Sequence, residues 1–208
     1  MSLPTTQILI SLDCSFTRTG VCIIDLLNKK IFFKTASAKI GEKQFENVVI
    51  AAKSVTQQLK DIFSEHCGGE NFSLIMESPL PRSSMSPALY ALDTLIYTSF
   101  ESNILATYNP ITLSSRIHGH KYTKLDSQNL AYRYLKELQS KGYMIESIIG
   151  TKRKICDDCA EAFLYTHLYL KDNSHPDFLF DNASDKEAYK TRMKELKRRT
   201  KLLLSDNN

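Results

Sequence analysis

Residues 8–26 read ILISLDCSFTRTGVCIIDL, and this stretch decides the architecture. A short β-branched run closes on Asp13, a polar turn follows, and a second apolar run opens at Thr19-Gly20. Runs of this length between turn formers predict two buried strands, 7–13 and 19–26, folded back on each other. An acid at the mouth of an apolar strand is costly to desolvate unless something cationic meets it. The same pattern returns in FSLIME (72–77), which ends on Glu77. A third acidic site, KICDDCAEAF (154–163), carries Asp157, Asp158 and Glu161 behind the basic triplet Lys152-Arg153-Lys154. Helical spacing there puts Asp158 and Glu161 on one face. Acids converging from three distant places predict a divalent metal centre, and hard oxygen donors favour Mg²⁺ or Mn²⁺ over zinc.

Outward from that hairpin, the turn LNKK leads to a third strand at 30–36. Phe45, Val48, Val49, Ala52, Val55, Leu59 and Ile62 recur at helical spacing and predict an amphipathic helix over 43–65, stopped by Cys67-Gly68-Gly69. The strand 72–77 is followed by SPLPRSSMSP, a proline-punctuated loop no helix could cross. Further on, the pattern predicts a very apolar helix over 87–107, a short strand over 108–113, and a basic loop SSRIHGHKYTK. A helix over 124–140, a weak apolar segment YMIESIIG, an acidic helix over 155–171 and a basic helix over 184–203 complete the chain. The layout is α/β, with a mixed five-stranded sheet flanked by helices. The crossover rule sets 72–77 beside the first strand, which brings Asp13 and Glu77 together. The helix over 87–107 is apolar on more than one face, as suits either core or a homodimer seam.

The 208 residues suffice for one sizeable domain, and 42% hydrophobic with 24% charged residues is ordinary globular composition. No apolar stretch approaches the roughly 20 residues of a membrane span, and the first residues show no basic region ahead of an apolar one. The expectation is a soluble, intracellular protein with no membrane association and no signal for a particular compartment. Five cysteines, an odd number, suit a reducing compartment. Cys156-x-x-Cys159 lacks a second pair at zinc-module spacing and reads as core-facing thiols, and His167 as a packed or surface imidazole.

Charge is unevenly spread. Between Lys186 and Lys201 eight basic residues, Arg198 and Arg199 among them, stand against Glu187 and Glu195; the chain's net charge is +4, so the remainder is net acidic. That division predicts a domain over 1–175 and a basic helical extension over 176–208 that grips phosphates.

Order, spacing and chemistry resemble the RNase H-like nucleases, and among them the RuvC-type Holliday-junction resolvases, in particular the poxvirus and phage branch. ILISLDCSFTRTGVCIIDL is similar to the family's first hairpin, NFSLIMESP to its strand with the catalytic Glu, and DDCAEAF to its last-helix motif. SRIHGHKYTK stands where the family has a basic, glycine-containing loop. Glu161 occupies a place where the family usually has Asp, and Leu80 or Tyr122 replaces the aromatic wedge that follows the Glu elsewhere. The resemblance implies an RNase H-like fold and an endonuclease that cuts four-way DNA junctions as a homodimer. It further implies two Mg²⁺ (or Mn²⁺) ions per site on Asp13, Glu77, Asp158 and Glu161, with Asp157 capping the helix or orienting a water. Lys124 would stabilise developing charge, while Lys121, Lys124, Lys152, Arg153, Lys154, Arg198 and Arg199 contact DNA, with His120 a further phosphate contact. Two other readings keep the hairpin: a non-catalytic nucleic-acid-binding module of the same fold, and an actin- or hexokinase-like nucleotide-binding domain. The second normally needs paired domains and glycine-rich phosphate loops, and this chain has seven glycines in all.

The C-terminal segment yields a test. Each phosphate neutralised contributes about −0.9 to the log–log salt slope of duplex affinity, so deleting 186–208 is expected to flatten that slope by several units. An unchanged slope in a salt titration would make the segment a solvated helix.

Overall fold

The structure, a computed structural model, describes residues 7–39, 45–68, 71–77, 87–118, 122–146 and 155–179. Strands β1 (Ile8–Asp13), β2 (Thr19–Asp25) and β3 (Lys30–Ala36) form an antiparallel meander. The β2–β3 turn closes as Asp25 accepts from the Asn28 backbone (2.8 Å) and side-chain amide (2.7 Å), with Lys29 at a φ of 51°. Helix α1 (Phe45–Cys67) stops where Gly68 enters the left-handed region at φ 57° and its N–H reaches the Ser64 carbonyl, 3.2 Å away. Strand β4 (Phe72–Glu77) then lies parallel to β1, in the place the crossover rule gives it.

The next segment departs from expectation. Helix α2 (Pro87–Phe100) ends before Glu101–Asn103, which tighten into a 3₁₀ turn, and β5 is Ile104–Tyr108, parallel to β4. The strand expected over 108–113 gives way to a helical start: the Asn109 side chain accepts from the Ile111 N–H (2.8 Å) and Pro110 takes the first helical position. Helix α3 (Pro110–Thr112) runs into a π-helical stretch, Leu113–His118, across half of the expected basic loop. Helix α4 (Lys124–Ser140) opens on a capping box between Thr123 and Asp126. The apolar segment after it supplies β6 (Met144–Ile145), parallel to β3, so the mixed sheet has six strands in the order β5-β4-β1-β2-β3-β6 rather than five. Helix α5 (Asp157–Asp172) completes the set.

Side-chain alternation along the strands gives each sheet face a helical layer. On one face Ile10, Leu12, Val21, Ile23 and Leu74 meet Val55 and Leu59 of α1 and Leu92 and Ile96 of α2. Phe63, Phe72 and Phe100 meet there edge-on or tilted, with ring centroids 5.0–6.4 Å apart. Burying each such side chain stabilises the fold by about 1.5–3 kcal/mol. Leu92, Ile96 and Phe100 of α2 are spent on this core, leaving Tyr90, Thr94, Tyr97 and Thr98 outward. On the other face α5 is fixed to the central strand: Ser11 Oγ donates to the Ala162 carbonyl (2.6 Å), and Thr166 Oγ1 donates to Ser11 Oγ (2.5 Å). No helix among the described residues is long and apolar enough to cross a membrane.

His167 of α5 is buried between the rings of Tyr134 and Phe178. Burial, aided by the charges of Lys171 and Lys141, drives its imidazole down to about 3. The folded state therefore holds it neutral while the unfolded chain protonates near pH 6.5. Stability present above that value is expected to fall as pH drops towards 3, by at most about 1.4 kcal/mol per pH unit from this group. Urea titrations of wild type and His167→Gln check this: the variant's stability should vary less over that window.

Candidate active site

Parallel pairing of β1 with β4, in register through Leu12 and Met76, sets Asp13 and Glu77 side by side at the strand ends. Both side chains point to the α5 face, because they share the parity of Ser11 and Ile75. Asp13 is buried, and that burial, its hydrogen bond to Glu77 and the charges of Glu77 and Asp158 push its carboxyl well above the usual range. Glu77 is also raised, first by burial and then by the charges of Asp93 and Glu161, with the Asp13 hydrogen bond opposing. Glu161, one turn beyond Asp158 on α5, rises to about 7 through burial and the charge of Asp13. The four predicted acids thus meet in one corner. For Asp13, Glu77 and Glu161 burial, reinforced by the charges of neighbouring carboxylates, is what raises the carboxyl.

Gly20 makes this convergence possible. It lies opposite Asp13 on β2, and a Cβ there would overlap the Asp158 backbone and sit 2.6 Å from the Cys159 nitrogen. The first turn of α5 therefore rests directly on the strand. Its cap is Cys156, not Asp157: the Cys156 sulfur accepts from the Cys159 N–H at 3.3 Å. Cys159 in turn donates to the Lys34 carbonyl (3.3 Å), and none of the five cysteines is joined in a disulfide.

Two cations stand among the acids. Lys124 Nζ lies 2.8 Å from Asp157 and 3.3 Å from Asp158, at the start of α4. Arg18, from the β1–β2 turn, hydrogen-bonds Asp157 and Asp158 through Nη2 and Nε. Burial works against ionisation of Asp157, yet the Lys124 hydrogen bond and charge, with Arg18, take it below its ordinary value. Ser127 donates to Glu161 (3.3 Å) and lies 3.5 Å from His118 Nε2, whose ring stacks on Tyr122 at 4.1 Å. The Tyr122 hydroxyl is raised by burial and then by Glu161, Asp13 and Glu77, so it too faces the acids. Arg116 of the predicted basic loop is tied back by a two-pronged ion pair to Asp172.

Arg18, Ser127 and Asp93 were not singled out by sequence. Arg18 sits in a polar turn five residues past Asp13, and that proximity was its only signal. Asp93 breaks the apolar pattern of α2, and it is 6% exposed beside Glu77. Its carboxyl is pushed up to about 6 by burial, with the Cys14 thiol's hydrogen bond opposing. Lys121, Lys152, Arg153, Lys154, Arg198 and Arg199 lie outside the described residues, as do His120, Leu80 and the helix expected over 184–203.

Among the described residues no group of three or more His, Cys, Asp and Glu side chains stands ready-made to hold a metal ion. Asp158 is turned to Arg18 and Lys124 instead. The donor chemistry nevertheless fits a divalent cation: all candidate donors are carboxylate oxygens, they repel one another, and an ammonium already stands against two of the helix acids.

No protein-family model and no curated protein sequence matches the chain. Among solved structures, Thermus thermophilus RuvC aligns over 79% of this chain and 95% of its own at 13% identity, with a TM-score of 0.51. T. thermophilus RuvC in complex with Holliday junction substrate aligns over 81% of this chain and 96% of its own at 11% identity, TM-score 0.50. The yeast mitochondrial Holliday junction resolvase Ydc2 aligns over 78% and 76% at 13% identity, TM-score 0.46. The fold is RNase H-like: a mixed sheet, flanked by helices, of the kind RuvC has.

Gly20→Ala tests the close approach. The added methyl must lift α5 from β2, a form of overpacking that costs typically 1–3 kcal/mol. Chemical denaturation is expected to show that loss, whereas wild-type stability in the variant would place the helix farther from the strand.

Proposed function

We propose that this chain is a metal-dependent endonuclease that cuts four-way DNA junctions. The observation that carries the reading is the convergence of Asp13, Glu77, Asp158 and Glu161 at one end of an RNase H-like sheet. Those four residues would hold Mg²⁺ or Mn²⁺, with two ions per site and Asp13 central. Bound there, the ions would activate a water and stabilise the leaving 3′ oxygen of a phosphodiester. Asp13, buried between β2 and β4, keeps its carboxyl fixed while Glu161 approaches from the helix. Ser127 orients Glu161 by hydrogen bond, the supporting contact a ligand carboxylate requires. Lys124 holds its ammonium beside the acids while its side chain stays largely exposed, so phosphate can reach it from outside. Arg18 and Lys124 offset the helix acids before DNA arrives.

Branched DNA is the substrate that the likeness to RuvC supports. Paired cuts in a four-way junction call for two centres related by a two-fold axis, so a homodimer is part of the proposal. Its seam is not assigned to α2, whose largest apolar side chains point into its own core. Residues 1–175 would form the nuclease, and 176–208 a basic arm that adds grip on phosphates, together with Lys121 and the 152–154 triplet. One observation favours a second reading, a non-catalytic junction-binding module: Arg18 and Lys124 already satisfy Asp157 and Asp158 by ion pairing.

Assays on four-way, three-way and nicked substrates separate the two. Asp13→Asn and Glu77→Gln are each expected to lose more than the roughly hundredfold that removal of a supporting partner costs a metal site, while still binding junctions. Retained cutting in either variant overturns the site assignment, and a wild type that binds but never cuts favours the module. Glu161→Asp should keep activity with an altered Mg²⁺/Mn²⁺ preference, and Glu161→Ala should abolish it.

A further inference from the structure

Beside Glu77, where α2 overhangs the ends of β4 and β5, lies a cavity of about 320 Å³. Glu77, Tyr90, Asp93, Thr94, Tyr97 and Thr107 line it. Tyr90 and Tyr97 share one face of α2 and expose 63% and 45% of their surface, so the rings border the opening. Asp93 is nearly fully buried, and its Oδ1 has no hydrogen-bond partner. A desolvated acceptor without a donor is unfavourable, and an incoming N–H would relieve it. Thr94 already donates its hydroxyl to the Tyr90 carbonyl at 2.8 Å, which leaves the oxygen able to accept.

We propose that this cavity receives one unstacked nucleobase, stacked on Tyr90 or Tyr97 and read by Asp93 through an exocyclic amino group. The proposal deepens the junction-nuclease reading and rests on it. Aromatic rings accept the flat face of any base, whereas a carboxylate selects edges that donate. Adenine, cytosine and guanine each carry an amino group. Thymine does not: its one N–H lies between two carbonyl oxygens, which would face the carboxylate. The cavity opens on the α2 face at the end of β4, whose Glu77 turns its carboxylate to the α5 face, so the base it takes belongs to a branch-point nucleotide near the candidate cutting centre. At a branch point that base leaves its stack at less cost than in an intact duplex.

The test uses the full chain and four-way junctions in which each nucleotide within three of the crossover is in turn A, C, G, T or abasic. Binding is measured in EDTA and cutting in Mg²⁺. At one position thymine and the abasic site should weaken binding and cutting about tenfold relative to the amino-bearing bases. Asp93→Asn, which replaces one carboxylate oxygen with a donor, should erase the thymine penalty. Tyr90→Ala and Tyr97→Ala, at exposed positions, should together bring base-bearing junctions to the affinity of abasic ones, and they carry the test if Asp93→Asn melts early. Base-independent binding at every position overturns the pocket, as does a preference that survives both kinds of variant. A wild type that cuts nothing yet discriminates bases in EDTA sinks the nuclease reading and keeps the pocket.

Discussion

Resting the first turn of α5 on β2 at Gly20 presses Asp158 and Glu161 towards Asp13 and Glu77, and the repulsion that follows must be offset. Around that corner the chain arranges its cations and donors. Arg18 reaches in from the β1–β2 turn, Lys124 from the start of α4, and Ser127 supports Glu161. The strands and helices that supply these groups are held by ordinary apolar packing on both sheet faces. The corner where the acids gather departs from that pattern, and departures of this kind mark functional sites.

The acids divide into two pairs with opposite solutions. Asp13 and Glu77 lie deep, share a hydrogen bond and sit above their ordinary range. Asp157 and Asp158 lie at a helix N-terminus, where the helix dipole and two side-chain cations favour charge. Arg18 and Lys124 thus stand against the helix acids, while Asp13 and Glu77 lean on each other.

Much of this was legible in sequence. The hairpin and β4 announced themselves because each is a short apolar run bounded by turn formers, and period-2 burial then fixed which acids share a face. The α2–β5 boundary was not, because LIYTSFESNILATY carries no glycine or proline, and only Glu101–Asn103 interrupt it. Two-residue β6 is too short to carry a period at all. Asn109-Pro110 is a helix start in an apolar run that otherwise resembles a strand. Within the site, carboxylates at strand ends stood out against apolar neighbours, while Arg18 and Ser127 lie among polar residues and become visible only once α5 is in place.

The acids enter the chain in a fixed order. Asp13 and Glu77 precede α5 in the chain, and both lie in a sheet that closes on α1 and α2. Asp158 and Glu161 follow about eighty residues later, on the helix that Ser11 and Thr166 fasten to β1. Domains generally form as units from the N-terminus during synthesis. A nascent chain short of α5 therefore carries all six strands of the sheet and still owns only half of its acidic corner. Docking of α5 is thus the event that brings the four acids together.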